Sequence, residues 1–214
     1  MSDIVIREIE EKDLSALKSL IVEAFGEGWN LGRFNQNNDS FQALLEVYLS
    51  MFLNSSTFGK VAMLKNEVVG IILCSAQGET EKFRQLQKDR AAHTLMLLTA
   101  TEDERTDIVE HLSTSFQAIG KLLEHSVHAY DGSLEFIAVS KKAQGLKIGK
   151  MLWDEASAYF NAKNTKSIYL IADSACSVGF YDYNGFSKVG TTEAIYNYTT
   201  GQKKFDIFVY EYKF

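Results

Sequence analysis

At 214 residues, with 46% hydrophobic and 23% charged residues, the chain has the size and balance of one large globular domain carrying an insertion. A net charge of -6 argues against nucleic acid as the main partner, since phosphate-backbone binding needs a broad basic face. No apolar run approaches a membrane span and the N-terminus lacks a signal-peptide pattern, so a cytoplasmic protein with no membrane partner is expected.

Residues Asp3 to Glu8 alternate as a first strand does, and Glu11 to Phe25 carries Leu14, Leu17, Leu20, Ile21, Ala24 and Phe25 at helical spacing. Glycines and asparagines then break the pattern from Gly26 to Asn38. Trp29 and Phe34 in that loop either tuck into the core or line a substrate pocket. Asp39 and Ser40 are cap candidates for a second helix with Phe41, Leu44, Leu45, Tyr48, Leu49 and Phe52 as its buried stripe. Two apolar runs, Thr57 to Leu64 and Val68 to Cys74, flank a short turn at Lys65-Asn66-Glu67 and predict a hairpin.

From Gln77 to Asp131 the periodicity becomes helical. Glu79 to Thr99 predicts one helix with Phe83, Leu86, Ala91, Leu95, Met96 and Leu98 inward. Thr101 and Glu104 match a capping box for a second helix, with Ile108, Leu112, Phe116, Ile119 and Leu123 as its stripe. The two make an amphipathic helical hairpin whose apolar face packs on the sheet or on a second subunit, as in a homodimer. His93, His111, His125 and His128 lie in this region without a carboxylate in register, and Cys74 and Cys176 have no Cys-x-x-Cys spacing, so neither a metal nor a disulfide is expected.

The stretch Leu134 to Trp153 reads as a strand, a short basic loop and the start of a helix. Unpaired N–H groups and the macrodipole make such a junction an anion site, and Lys141, Lys142, Lys147 and Lys150 add positive charge. A dinucleotide fingerprint fails, because only Gly145 and Gly149 are present. A nucleoside-triphosphate loop fails too, because three residues separate those glycines and Met151 follows Lys150. Further on, Ser167 to Ala172 predicts a central strand, and Asp173-Ser174 caps a short helix ending near Asn184-Gly185. Phe186 to Val189 and Lys204 to Tyr212 predict two strands around a polar segment.

Gln144-Gly145-Leu146-Lys147-Ile148-Gly149, following Phe136-Ile137-Ala138-Val139, resembles the acyl-coenzyme A motif of the GCN5-related N-acetyltransferase (GNAT) family, Gln/Arg-x-x-Gly-x-Gly/Ala, with Lys147 in place of one glycine. Tyr181 in a short helix, with Gly185-Phe186 opening the next strand, is the family's second signature. The Asn often seen seven residues before that Tyr is Ser174 here. The resemblance implies an α/β (α+β) GNAT fold: a mixed, mostly antiparallel twisted sheet of about seven strands flanked by helices. It would form one acyl-CoA N-acyltransferase domain over residues 1–214, with the helical hairpin, at about 77–131, inserted between strands 3 and 4. It implies acetyl transfer from acetyl-CoA to a primary amine of a small molecule or peptide, by direct attack and without a metal. Ile137, Ala138 and Val139 would lie along the thioester and pantetheine, Gln144, Gly145, Leu146, Lys147, Ile148, Gly149 and Lys150 would hold the pyrophosphate, and Ser174 would stand at the pantetheine position. Tyr181 would be the general acid. Glu135 is a general-base candidate beside a water chain, since burial raises a carboxylate's pKa. The acceptor pocket would be built by the Gly26 to Asn38 loop, the second helix and residues 190–203. The substitutions at Lys147 and Ser174 leave a second reading open, a non-catalytic acetyl-CoA sensor or assembly protein on the same fold.

Overall fold

The computed structural model describes residues 4–26, 31, 38–86, 90–125 and 130–214. The chain runs β1 (Ile4–Glu8), α1 (Leu14–Phe25), α2 (Asp39–Ser55), β2 (Phe58–Leu64), β3 (Glu67–Ala76), α3 (Arg90–Met96), α4 (Glu102–His125), β4 (Gly132–Val139), α5 (Ile148–Ala162), β5 (Ser167–Asp173), α6 (Gly179–Tyr183), β6 (Ser187–Tyr198) and β7 (Gly201–Lys213). The seven strands form one sheet in the order β1-β2-β3-β4-β5-β7-β6. Every neighbouring pair is antiparallel except β4 and β5, which are parallel.

Local chemistry explains most of these boundaries. Lys65 and Asn66 both take positive φ, 50° and 65°, which closes β2 and β3 into a two-residue hairpin matching the strand twist. The Thr101 N–H donates to Glu104 Oε2 at 2.9 Å and the Glu104 N–H to Thr101 Oγ1 at 3.3 Å, so the capping box starts α4 as its spacing requires.

Three readings change. The expected helix from Glu79 to Thr99 is a seven-residue helix, α3, flanked by 3-10 turns at Arg84–Leu86 and Leu97–Thr99. Gly78 turns the chain at φ 81°, and the Lys82 N–H donates to Ser56 O, so the segment before α3 is tied back to the end of α2 instead of coiling. The long helical hairpin is thus one long helix, α4, preceded by a broken helical segment. Residues 190–203 form most of a β6–β7 hairpin rather than a polar connection, paired continuously to Tyr198↔Gly201. Finally, α2 begins at Asp39 with Asn38 at the cap position and no side-chain cap bond.

Helices cover both faces. On one face α1 and α2 pack Leu17, Ile21, Phe41, Leu44 and Leu49 against Val61, Ile71, Leu73 and Phe136. On the other, α5 packs Ile148, Leu152, Ala156 and Phe160 against Ala62, Ile72, Ile168, Leu170 and Tyr210. The approach of α5 is close at Gly70, where a Cβ would stand 3.0 Å from Ile148 Cγ2 and 3.1 Å from Leu152 Cδ1. Helix α4 seats on the far end of the sheet, its Ala118 and Leu122 against Tyr196, Tyr198, Ile207 and Val209.

Candidate active site

The parallel pair β4–β5 is where the sheet opens. β4 is matched to β3 from Gly132↔Ala76 to Val139↔Gly70, but to β5 only at Gly132↔Ile168 and Ser133↔Tyr169. β5 stays paired with β7 along its whole length, to Asp173↔Ile207. From Leu134 onward the two parallel strands diverge, and the β4 edge facing β5 has no strand partner among the described residues. The cause is local. Leu134 opposes Cys74 and Phe136 opposes Leu73, so Glu135 is an extra residue, a β-bulge. A bulge bends its strand and adds twist. It also exchanges the faces: Leu134 packs on the α5 side, whereas Phe136 and Ala138 pack on the α1/α2 side. Ile137 and Val139 lean on the α5-side core, so along this stretch the side chains are committed to the two layers. The backbone edge is what faces the wedge.

At the open end the chain turns sharply into α5. The Ser140 N–H donates to Val69 O at 2.8 Å, and a 3-10 turn follows at Lys141–Ala143. Glu23 of α1 accepts from the Lys141 N–H at 2.5 Å and from Ser140 Oγ at 3.2 Å, which pins the loop to the other layer. Gly145 has φ 81° and open space around its missing Cβ. Lys147 sits left-handed at φ 59°, ψ 19°. The residue standing where the motif has glycine therefore holds a backbone conformation that glycine favours, at a cost of about 1 kcal/mol. The first bond of α5 is from the Met151 N–H to Lys147 O at 3.1 Å, and no side chain caps the helix. The amides of Ile148, Gly149 and Lys150 thus stand at an uncapped N-terminus.

The lysines contribute less than their number suggests. Lys142 pairs with Glu67 and Lys150 with Asp154, while Lys141 and Lys147 are exposed and form no ion pair among the described residues.

Gly149 links this helix start to α6. A Cβ there would come within 3.0 Å of the Phe180 ring. Asp173, at the end of β5, accepts from the Ala175 and Cys176 N–H groups at 2.8 and 3.1 Å and so turns the chain there; neither it nor Ser174 caps the short helix as expected, because α6 starts only at Gly179, behind Val178, with no side-chain cap bond. Tyr181 on α6 lies between the rings of Phe180, Phe186 and Tyr210, at centroid distances of 5.6, 5.8 and 5.4 Å. Burial first, then the neighbouring Cys176, Asp173 and Tyr210, hold the Tyr181 hydroxyl well above the ordinary phenol range. Burial and Asp173 likewise push the Cys176 thiol up to about 12.

Glu135 lies at the apex of the wedge, half-buried, and accepts a short hydrogen bond from Ser133 Oγ. The Tyr169 hydroxyl is raised, by burial first and then by the Glu135 charge. Ser174 is exposed and extends the β5–β7 ladder: its N–H donates to Asp206 O at 2.9 Å and its Oγ accepts from the Asp206 N–H at 3.1 Å. Trp29 and Phe34 lie outside the described residues. Their neighbour Leu31 is buried in the core under α1 and α2. The fold therefore brings the 140–150 loop, which follows the β4 edge, against α6 and its Tyr181, and ties Ser174 to Asp206 at the end of the β5–β7 ladder. Sequence reasoning missed the bulge, Cys176 and Tyr210. The last carried no signal beyond its place in an alternating strand.

Among the described residues, no cluster of three His, Cys, Asp or Glu side chains could hold a metal ion, and no helix is long and apolar enough to cross a membrane.

A family model described as an acetyltransferase (GNAT) domain matches residues 85–198, from the helical insertion through β6. No curated protein matches the chain. Among solved structures, the ribosomal-protein-S18-alanine N-acetyltransferase of Escherichia coli superposes with a TM-score of 0.55 at 11% identity, over 98% of this chain and 93% of that one. PaiA N-acetyltransferase from Thermoplasma acidophilum, in complex with coenzyme A, gives 0.50 at 17% identity over 99% of both chains. A ribosomal-protein-alanine N-acetyltransferase from Brucella melitensis gives 0.51 at 18% identity, over 98% of this chain and 99% of that one. At such identities these structures share the fold.

Proposed function

The chain belongs to the GNAT acetyltransferase family, and on that premise we propose that the β4–β5 wedge is where it transfers an acetyl group from acetyl-CoA to an amine. The observation that carries this reading is the parallel pair that comes apart after two residue pairs, leaving an unpartnered backbone edge that leads to an uncapped helix start.

The residues fit the two chemically distinct parts of acetyl-CoA. A pantetheine arm is an extended chain with amides, and an unpaired strand edge offers alternating N–H and C=O groups to such a chain. A pyrophosphate needs converging N–H donors and positive potential, which the turn at Gly145 to Lys147 and the first amides of α5 supply. Gln144, Gly145, Leu146, Lys147, Ile148, Gly149 and Lys150 form that cradle. Ile137, Ala138 and Val139 line the arm. Ser174 stands at the edge of the arm, its Oγ free to donate while it accepts from Asp206.

Acetyl-CoA supplies the activated thioester. The chain's own task is to place a neutral amine against it in a ternary complex, where orientation supplies much of the acceleration. A backbone N–H of the β4 edge polarises the carbonyl oxygen as the N–C bond forms. The amine reaches the thioester neutral, having given its extra proton to solvent, and its nitrogen gives up a second proton as the amide forms, through Glu135 at the wedge apex or through water. As the C–S bond breaks, the thiolate takes the electron pair and Tyr181 donates to the sulfur. A phenol holds its proton more tightly than a thiol of pKa about 8.5, so Tyr181 acts chiefly as a hydrogen-bond donor, and the thiol's proton comes ultimately from water. The acceptor enters from the α1/α2 side.

Calorimetric titration of acetyl-CoA, followed by thiol release with a panel of primary amines, tests this reading. Binding with turnover is expected, and Tyr181→Phe should lower kcat about 10- to 100-fold with acetyl-CoA affinity within about twofold of wild type. Binding without turnover would favour a non-catalytic sensor, and no binding would sink both. An unchanged kcat in the variant removes Tyr181 from the mechanism.

A further inference from the structure

Glu135 is a half-buried carboxylate that no cation neutralises. Among the described residues it forms no ion pair, and its hydrogen bond comes from Ser133, whose Oγ donates to Oε1. Ser133 is itself buried, and its hydroxyl makes no other hydrogen bond among the described residues, so it is committed to this carboxylate. The second oxygen, Oε2, is left to accept from something else.

The register sets which side of the sheet this pair faces. Ser133 is the partner of Tyr169 in the parallel ladder, so the two side chains share a face, and Tyr169 packs with the α4 layer, opposite α5. Leu134 points the other way, into the α5 core. At the bulge Glu135 and Phe136 follow each other on one face, and Phe136 packs under α1 and α2, stacked on Phe52 at 4.7 Å. The carboxylate is thus held on the side from which the acceptor enters. From β3, the Cys74 thiol is held well above its ordinary value by burial and then by the Glu135 charge, and from β5 the Tyr169 hydroxyl is raised in the same way, so both stay neutral. Glu211 of β7, the register partner of Tyr169, lies 3.4 Å from Lys213. No charged side chain of α1, α2 or α4 bonds to Glu135 among the described residues. A hydrogen bond donated to a carboxylate favours its charged form and fixes its orientation.

We propose that Ser133 is a positioning residue for the proton acceptor of acetyl transfer: its hydroxyl holds one oxygen of the Glu135 carboxylate and leaves the other turned to the nitrogen that attacks the thioester. The proposal rests on the reading of Glu135, rather than water, as that acceptor. As the N–C bond forms, the nitrogen passes one proton to Glu135 Oε2. The C–S electron pair leaves with the sulfur, which takes its proton ultimately from water, and Glu135 returns its own to solvent. No bond is made or broken at Ser133.

The test is kcat/KM against pH, with a primary amine from the panel above that is turned over, expressed per neutral amine so that the substrate's own titration drops out. What remains is an acid limb set by Glu135. Losing the donor moves that limb to higher pH. Ser133→Ala should shift it by about one pH unit, so that the loss is about tenfold at about pH 5.5 and no more than about twofold at about pH 8.5. Ser133→Thr keeps the hydroxyl, suits a strand and should restore the limb. Glu135→Gln should lower kcat about 100-fold and remove the limb, and adding Ser133→Ala to it should change nothing further. Acetyl-CoA affinity should stay within about twofold of wild type in every variant.

A loss of the same size at both pH values in Ser133→Ala is a structural effect and overturns the inference. So does an unmoved limb, an equal loss in the Glu135→Gln background, or a folded Ser133→Thr that behaves as Ser133→Ala does. If Glu135→Gln keeps wild-type turnover, water carries the proton: acetyl transfer stands, and Glu135 and Ser133 fall together. If acetyl-CoA does not bind, or no amine is turned over, the reading of the site fails first and Ser133 falls with it.

Discussion

Two helices cover the sheet in different ways. α5 seats on its central strands with an apolar row, in which Leu152, Ala156 and Phe160 are all fully buried. α4 seats on the edge strand β6 with polar side chains in its first half, ahead of the apolar contact at Ala118 and Leu122. Asp107 accepts from the Thr199 N–H at 2.7 Å, Glu110 from the Asn197 N–H at 2.7 Å, Ser115 Oγ is 3.0 Å from the Tyr196 hydroxyl, and His111 Nδ1 is 2.8 Å from the Tyr198 hydroxyl. An edge strand has outward N–H groups to satisfy, and the carboxylates of α4 satisfy two of them on this hairpin. A central strand has few to spare, so the helix above it contributes mainly shape and apolar area, with one hydroxyl, that of Tyr159, bonded to Thr57.

The largest effect should come from breaking the apolar seat. Phe160 is 0% exposed and packs against Tyr159 and Phe214. Phe160→Ala should lower stability by about 3 to 5 kcal/mol in urea unfolding, through lost burial and a residual cavity. On the reading proposed above, in which the amides at the other end of α5 hold the pyrophosphate, it should also weaken acetyl-CoA binding. A loss below about 1 kcal/mol would mean that α5 is not anchored by this row.

The polar seat should be the acid-sensitive one. His111 is 6% exposed, stacks on Tyr196 at 5.2 Å, and burial lowers its pKa from 6.5 to about 4. The unfolded chain takes up this proton at higher pH than the folded chain does. The contribution is therefore intact above about 6.5 and lost as pH falls toward 4, on the order of 3 kcal/mol in all. Comparing unfolding free energies at pH 7.5 and 4.5, His111→Gln should remove most of that share of the decline. An identical decline in both proteins would show that acid acts elsewhere.

This contrast also explains what the sequence made legible. Signals confined to a few neighbouring residues were readable: the Thr101–Glu104 box, the Lys65-Asn66 turn and the Gln144 to Gly149 loop. The face of α5 is legible as well: Leu152, Ala156, Tyr159 and Phe160 fall on one side at helical spacing, and an apolar seat is written in hydropathy. The face of α4 was legible only in part. Of the expected stripe Ile108 is buried and Leu112 and Ile119 pack on the core, whereas Phe116 is exposed, and the tyrosines and backbone amides of the β6 hairpin draw Asp107, His111 and Ser115 inward as well. Leu95 and Leu98, expected inward on a helix from Glu79 to Thr99, are 65% and 67% exposed. The opening of the wedge was illegible for another reason. The bulge at Glu135 exists only as a register between strands about sixty residues apart, and no pattern within β4 announces it.

The smallest predicted effect is the sharpest test of the comparison, because it reverses the order that hydropathy would assign to two adjacent residues. Phe116 was expected in the buried stripe but is 55% exposed, whereas Ser115 beside it faces Tyr196. Phe116→Ser changes helix propensity little and removes surface already in water, so stability should move by no more than about 0.5 kcal/mol. Ser115→Ala gains some helix propensity but leaves the Tyr196 hydroxyl, in a side chain 3% exposed, without that partner, for a net loss of about 1 kcal/mol. Replacing an aromatic ring should thus cost less than deleting one hydroxyl. Urea unfolding of the two variants decides it. If Phe116→Ser proves the more damaging, α4 rests on its apolar row after all, and the polar seat on β6 is not what holds it.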